Sequence, residues 1–221
     1  MQFPNTRILI FSRVPRAGEV KTRLIPALGA EGACAFHATS LRHTLGRLTD
    51  AGLAPIELCV TPDTDNEQIH ALVAEFDCKT TLQQGDGLGR RMAYAAQQAL
   101  GCADSVILIG TDAPLLNAAY MERALREMER GVDLVMGPAE DGGYVLLGLR
   151  HVYPELFSDM PWGSEQVAGL TRQRCIRLGK QLVELPELWD VDRPEDLLRL
   201  CGIVDAELHE LQALCQHLPR L

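Results

Sequence analysis

An α/β domain, with a mostly parallel sheet covered by helices on both faces, is predicted by three observations. Short β-branched runs alternate with helical segments of about ten to twenty residues. At 221 residues and 47% hydrophobic content, the chain suits one sizeable core. Several apolar runs end directly in loops rich in Gly, Pro or charge, as strands do at the rim of an open sheet.

The first strand is read at 7–11, RILIF, an unbroken apolar run suited to burial on both faces, and VILI at 106–109 has the same character. IELCVT at 56–61 and KTTLQ at 79–83 supply further β-branched strands, while LVM at 134–136 and YVLLG at 144–148 form a later pair. Helices are expected at 31–51, 66–75, 88–100, 118–130, 165–178 and 194–201, the last opening with Pro194 in its first turn. A terminal amphipathic helix over 205–217 sets Leu208, Leu211, Leu214, Cys215 and Leu218 on one stripe, so His209 and His217 need no metal. Past residue 138 the simple alternation breaks, but one three-layer α/β/α, Rossmann-like domain over 1–221 accommodates every element.

Composition excludes some functions. A net charge of −9 lacks the summed positive charge by which proteins hold nucleic acid or anionic membranes, so small-molecule partners are expected. Seven cysteines, an odd number without a C-x-x-C pair, argue against a disulfide framework or structural zinc and read as core residues of a cytoplasmic protein. No apolar run reaches the roughly 18–20 residues that span a bilayer. Oligomeric state is not legible in the sequence.

Against that acidic background, FSRVPRAGEVKTRL at 11–24 gathers Arg13, Arg16, Lys21 and Arg23 on a Pro- and Gly-broken loop straight after the first strand. Like charges on a short loop repel unless an anion neutralises them, and guanidinium forks suit phosphate oxygens. A solvated basic turn is the plain alternative. The loop is not a P-loop, because Val20 stands where the second glycine is required. Lys21 and Arg23 are the leading phosphate contacts, with Arg13 and Arg16 beside them.

The strand at 106–109 ends in GTDAP, which holds Asp112 at the sheet rim either as a divalent-cation ligand or as the acid of a local turn. Near the other end, WDVDRPEDL offers Asp190 and Asp192 ahead of a helix. Asp192 with Glu195 has capping-box spacing, so Asp190 is the first candidate for a second metal ligand, although spacing alone does not choose between the two. QGDGLGRR at 84–91 is a poor dinucleotide fingerprint, with Arg90 replacing its last glycine. Gly87 and Gly89 suggest either close approach to a base or ribose or a flexible turn. AEDGGY at 139–144 sets Glu140, Asp141, Gly142 and Gly143 between strands, and Trp162 in MPWGS is read as lid or packing.

Together, FSRVPRAGEVKTRL, GTDAP, GPAEDGGYVLLGL, MPWG and DVDRPEDL resemble the uncharacterised bacterial family of nucleotide-diphospho-sugar-transferase-like proteins, usually labelled glycosyltransferase and carrying the glycosyltransferase-A fold. The resemblance covers residues 7–200 and extends more distantly to 2-phospho-lactate guanylyltransferase and molybdenum-cofactor guanylyltransferase. It implies a nucleotide-binding half over 1–115, an acceptor half over 116–203 and a C-terminal helix over 204–221. Asp112 matches the superfamily's metal-binding aspartate, and the DVD segment falls where relatives place a second ligand. Two features depart from the pattern: Arg193 where Thr often precedes Pro-Glu-Asp, and a basic rather than glycine-rich opening loop.

The expected activity is therefore Mg²⁺- or Mn²⁺-dependent transfer from a nucleoside triphosphate or nucleotide-sugar. The leading reading is nucleotidyl transfer. Asp112 with Asp190 or Asp192 would hold the metal, Lys21 and Arg23 would neutralise departing pyrophosphate, and Arg13, Arg16, Gly87 and Gly89 would complete the nucleotide contacts. A small phosphorylated acceptor would sit against Asp141, Gly142, Gly143 and Trp162. Glycosyl transfer with Asp141 or Glu140 as base is the alternative, and nucleotide binding without chemistry a third.

Overall fold

In a computed structural model, which describes residues 1–215, seven strands form one sheet. They are β1 (Thr6–Arg13), β2 (Ile56–Thr61), β3 (Lys79–Leu82), β4 (Ser105–Ile109), β5 (Leu134–Pro138), β6 (Tyr144–Leu149) and β7 (Leu182–Glu184), in the spatial order β3-β2-β1-β4-β6-β5-β7. The first four run parallel. β6 lies antiparallel to both β4 and β5, and β7 returns parallel to β5. The mostly parallel α/β sheet expected from the sequence is what forms. β7 was missed, because three half-exposed residues carry too little periodic signal.

Helices α1 (Ile25–Ala51), α2 (Glu67–Phe76), α3 (Leu88–Ala99), α4 (Ala118–Glu129), α5 (Val167–Arg177), α6 (Pro194–Cys201) and α7 (His209–Ala213) cover the sheet. α1 is broken at Gly29, whose φ of 71° is left-handed, so its continuous part begins close to the expected residue 31. Asn66 and Asn117 cap α2 and α4 by accepting the N–H groups of the first turn. In α6 the cap differs from the expected Asp192–Glu195 box. Asp196 accepts the N–H groups of Asp192 and Arg193 at 3.0 and 2.7 Å, leaving the Asp192 carboxylate to other partners. The terminal helix is shorter than expected, and His217 and Leu218 lie outside the described residues.

Strand alternation divides the core. Ile8, Ile10, Leu58, Val60 and Ile107 pack with α1 and α4 on one face, while Leu9, Cys59, Val106 and Leu108 pack with Met92 and Ala96 of α3 on the other. A third apolar cluster joins Leu24 and Phe36 to Trp189, Val191, Leu197, Leu200, Leu208 and Leu211, which fixes the C-terminal segment against the start of α1. All seven cysteines are free, but Cys102 and Cys201 are exposed rather than core. Among the described residues, no helix is long and apolar enough to cross a membrane.

Candidate active site

Strand order reverses between β1 and β4, and in open α/β sheets ligands settle outside the carboxyl ends of the strands at such a switch. β1 delivers the basic loop to this rim and β4 delivers Gly110–Asp112. Two clefts meet there, both lined by Phe11, Leu88, Gly110 and Asp112. One, of about 730 Å³, carries Arg13, Lys21, Arg23, His37 and Arg91. The other, of about 340 Å³, is walled by Phe11, Met92, Tyr144 and Trp162 and carries the carboxylates of Asp112, Asp141 and Asp190.

Lys21 ties the site together. Its ammonium lies 2.9 Å from Asp112 Oδ1 and donates to the Val191 carbonyl at 2.5 Å, with the side chain only 5% exposed. Its backbone is left-handed, φ 46°, an unfavourable conformation for a residue with a Cβ and one that clusters at functional sites. The Val191 N–H in turn donates to the Asp112 carbonyl at 2.9 Å. The basic loop, the GTDAP turn and the DVD segment, distant in sequence, thus converge.

The electrostatics follow from that packing. Burial opposes ionisation of Asp112, but the adjacent Lys21 ammonium outweighs it, and the carboxyl sits below its ordinary range. Asp190 is pushed up to about 6, first by burial and then by the negative charges of Asp141 and Asp112. Burial likewise lowers His37 below its usual value, partly offset by its 2.9 Å hydrogen bond with the Arg13 carbonyl.

Other predicted site residues are placed differently. Arg16 pairs with Asp63 at 2.5 Å and does not line the basic cleft. Arg23 lines it but is ion-paired with Asp192, so both side chains are already partnered. Glu140 is gripped by Arg199 in a two-pronged pair of 2.6 and 2.8 Å, with the guanidinium stacked on Trp189, which lowers its basicity. Asp141 accepts the Gly143 N–H through Oδ1 at 2.8 Å. Gly142 is required for packing: its φ is +85°, and a Cβ there would lie 2.2 Å from the Glu165 carbonyl oxygen. Gly89 is also a packing residue, since a Cβ would lie 2.5 Å from the Phe157 carbonyl oxygen and 2.6 Å from Trp162 Nε1. Gly87, at φ +84°, starts α3 and lines neither cleft. Trp162 both packs and lines the apolar cleft, edge-on to Tyr144 at 6.2 Å.

Sequence reasoning missed Phe11, His37, Gln83, Leu88 and Arg91. Gln83 donates to the carbonyls of Ser12 and Cys59, bracing the ends of β1 and β2. Arg91 reaches the basic cleft from the first turn of α3, donating to Gly85 O at 3.0 Å. Its position just after the glycine-rich stretch was the available signal. Among the described residues, Arg13 and Arg91 are the cleft's arginines without a carboxylate in ion-pair range.

No group of three or more His, Cys, Asp or Glu side chains among the described residues is arranged to hold a metal by itself. Asp112, 44% exposed, and Asp190 in the same cleft supply two hard oxygen donors. That fits Mg²⁺ or Mn²⁺, which commonly take one or two protein carboxylates and complete their shell with water and substrate phosphates.

Comparison with known proteins agrees with this architecture. A provisionally assigned nucleotide-diphospho-sugar transferase from Desulfovibrio desulfuricans G20 superposes with a TM-score of 0.83 at 30% identity, over 97% of this chain and 98% of that one. A cytidylyltransferase from Leptospira borgpetersenii serovar Hardjo-bovis (TM-score 0.61, 13% identity, 99% of each chain) shares the fold. So does glucosyl-3-phosphoglycerate synthase from Mycobacterium tuberculosis, solved with Mn²⁺, UDP and glucosyl-3-phosphoglycerate (0.54, 12%, 98% of this chain and 81% of that one). No curated protein matches the sequence. The fold is thus that of the nucleotide-diphospho-sugar transferase superfamily. A family profile matches residues 44–164, more than half of the chain, which therefore belongs to the family described as an uncharacterised protein conserved in bacteria, DUF2064.

Proposed function

We propose that the protein is a divalent-metal-dependent transferase that takes a sugar from a nucleotide-sugar and passes it to a hydroxyl acceptor. The observation that carries this reading is the meeting, at Asp112, of a basic cleft of about 730 Å³ with a smaller apolar, carboxylate-bearing one. Four free cations on the opening loop would suit a triphosphate better than a diphosphate. With Arg16 turned to Asp63, Lys21 on Asp112 and Arg23 on Asp192, the cations left to meet phosphate oxygens are Arg13 and Arg91, a pair suited to a diphosphate.

The diphosphate of the donor lies against Arg13 and Arg91, and its sugar points past Asp112 into the apolar cleft. There the acceptor oxygen forms its bond to the anomeric carbon as the bond from that carbon to the phosphate oxygen breaks. The nucleoside diphosphate leaves with the electron pair, and the acceptor proton passes to a carboxylate, Asp141 in this reading. A metal on Asp112 and Asp190 would supply charge stabilisation to the leaving phosphates. Trp162 and Tyr144 exclude water from the apolar side.

The products decide the reaction. Incubation with nucleotide-sugars, Mn²⁺ and a broad acceptor panel is expected to yield a nucleoside diphosphate. Pyrophosphate released from nucleoside triphosphates would instead identify nucleotidyl transfer, the reaction after which the cytidylyltransferase neighbour is named. Metal-dependent nucleotide binding with neither product would overturn the catalytic reading.

A further inference from the structure

We infer that the acceptor carries no phosphate or other anionic group, and is a hydroxyl compound with an apolar face. The inference rests on the transferase reading above and concerns the smaller cleft. Its volume of about 340 Å³ is at the low end for ligand clefts, and it also admits the transferred sugar, so the part of the acceptor it holds is compact.

Those walls have two characters. Phe11, Met92, Tyr144 and Trp162 give aromatic and aliphatic surface, with the two rings edge-to-face at 6.2 Å. The charged groups of the lining are Asp112, Asp141 and Asp190, and no Lys, Arg or His belongs to it among the described residues. Of the cations nearby, Lys21 is paired with Asp112 and the Val191 carbonyl, Arg23 with Asp192 and Arg199 with Glu140, while Arg13 and Arg91 line the adjoining cleft assigned to the donor diphosphate. A phosphate ester placed there would meet the Asp141 carboxylate without a donor fork, and a metal on Asp112 and Asp190 would have its open positions taken by the donor phosphates.

Hydroxyl hydrogens, by contrast, find acceptors. Asp141 uses Oδ1 on the Gly143 N–H and keeps Oδ2 for a ligand. Apolar C–H surface covers the rings, leaving hydroxyls to the carboxylates. The cleft therefore selects by repulsion as well as by fit: an anionic analogue of a good acceptor is rejected even where its shape matches.

Matched pairs test this: phenyl β-glucoside against phenyl β-glucoside 6-phosphate, titrated by calorimetry into the full chain with and without UDP and Mn²⁺. The neutral member is expected to bind at least tenfold more tightly. Asp141→Asn should narrow the preference. Ser164→Lys, which adds a cation to the lining at a half-buried bend, should shift it toward the phosphate ester. Equal or reversed preference in the wild type, or binding of neither member, overturns the inference. Preference for the neutral member without metal-dependent UDP binding would refute the nucleotide reading while leaving the cleft's selectivity standing.

Discussion

Replacing Lys21 with methionine should make the nucleotide-free protein bind Mn²⁺ more tightly. The Lys21 ammonium lies 2.9 Å from Asp112 Oδ1, within the space that a cation on that carboxylate would take. At an effective dielectric of about 20, the gross attraction at this distance is roughly 6 kcal/mol. Desolvation of a side chain only 5% exposed and hydration of a carboxylate 44% exposed offset most of it. The net is on the order of 1.5 kcal/mol, the low end for a hydrogen bond to a charged group, or about tenfold in affinity. Mn²⁺ titration by calorimetry, without nucleotide, should show that gain in Lys21→Met and loss of binding in Asp112→Asn. The same variant leaves the Val191 carbonyl without its Lys21 donor, costing about 1–2 kcal/mol and lowering the midpoint by roughly 2–8 °C. Unchanged or weaker Mn²⁺ binding in a folded Lys21→Met protein would refute the reasoning.

Arg13→Ala and Arg91→Ala should each weaken UDP binding about tenfold, the effect of losing one charge-assisted contact, while Arg16→Ala leaves it unchanged; titration of the three variants checks the assignment. His37 is held neutral by burial, with its folded pKa below the unfolded value of 6.5, so it stabilises the fold fully above pH 6.5. As pH falls below 6.5 the unfolded chain takes the proton first and stability drops; urea unfolding as a function of pH should show a shallower fall in His37→Gln, and equal slopes would count against this role. Gly142→Ala should cost about 2–4 kcal/mol, since it adds a Cβ 2.2 Å from a backbone oxygen at a φ of +85°, and thermal unfolding would read it as a markedly lower midpoint.

β1 and β4 were legible because they are buried on both faces and read as unbroken apolar runs, whereas β2 and β3 were read from their β-branched residues; β2 begins and ends at the expected residues, and β1 and β4 differ only at their ends. β7 was not, because an edge strand of three half-exposed residues leaves no periodic trace. Asp112 and Asp190 could be raised as candidates from the sequence, Asp112 because Gly110 and Pro114 bracket it after a strand, with a local turn as the rival reading, and Asp190 because capping-box spacing does not account for it. Which cations would remain for a ligand could not be read. The partners of Arg16, Arg23 and Glu140 come from segments 47, 169 and 59 residues away, and a one-dimensional count of charge does not reveal such neutralisation. For Gly142 and Gly89 the sequence leaves ligand contact and turn open, because glycine signals close approach without saying to what; here the nearest neighbours are backbone and Trp162.

The hydrogen bond from Lys21 to Val191 joins residues 170 positions apart. A ribosome making this chain releases the opening loop early, yet its ammonium has no carbonyl to bond until the final quarter has been synthesised. The basic loop therefore takes its final place only once the last strand has left the ribosome, when 189–211 becomes able to dock onto the start of α1.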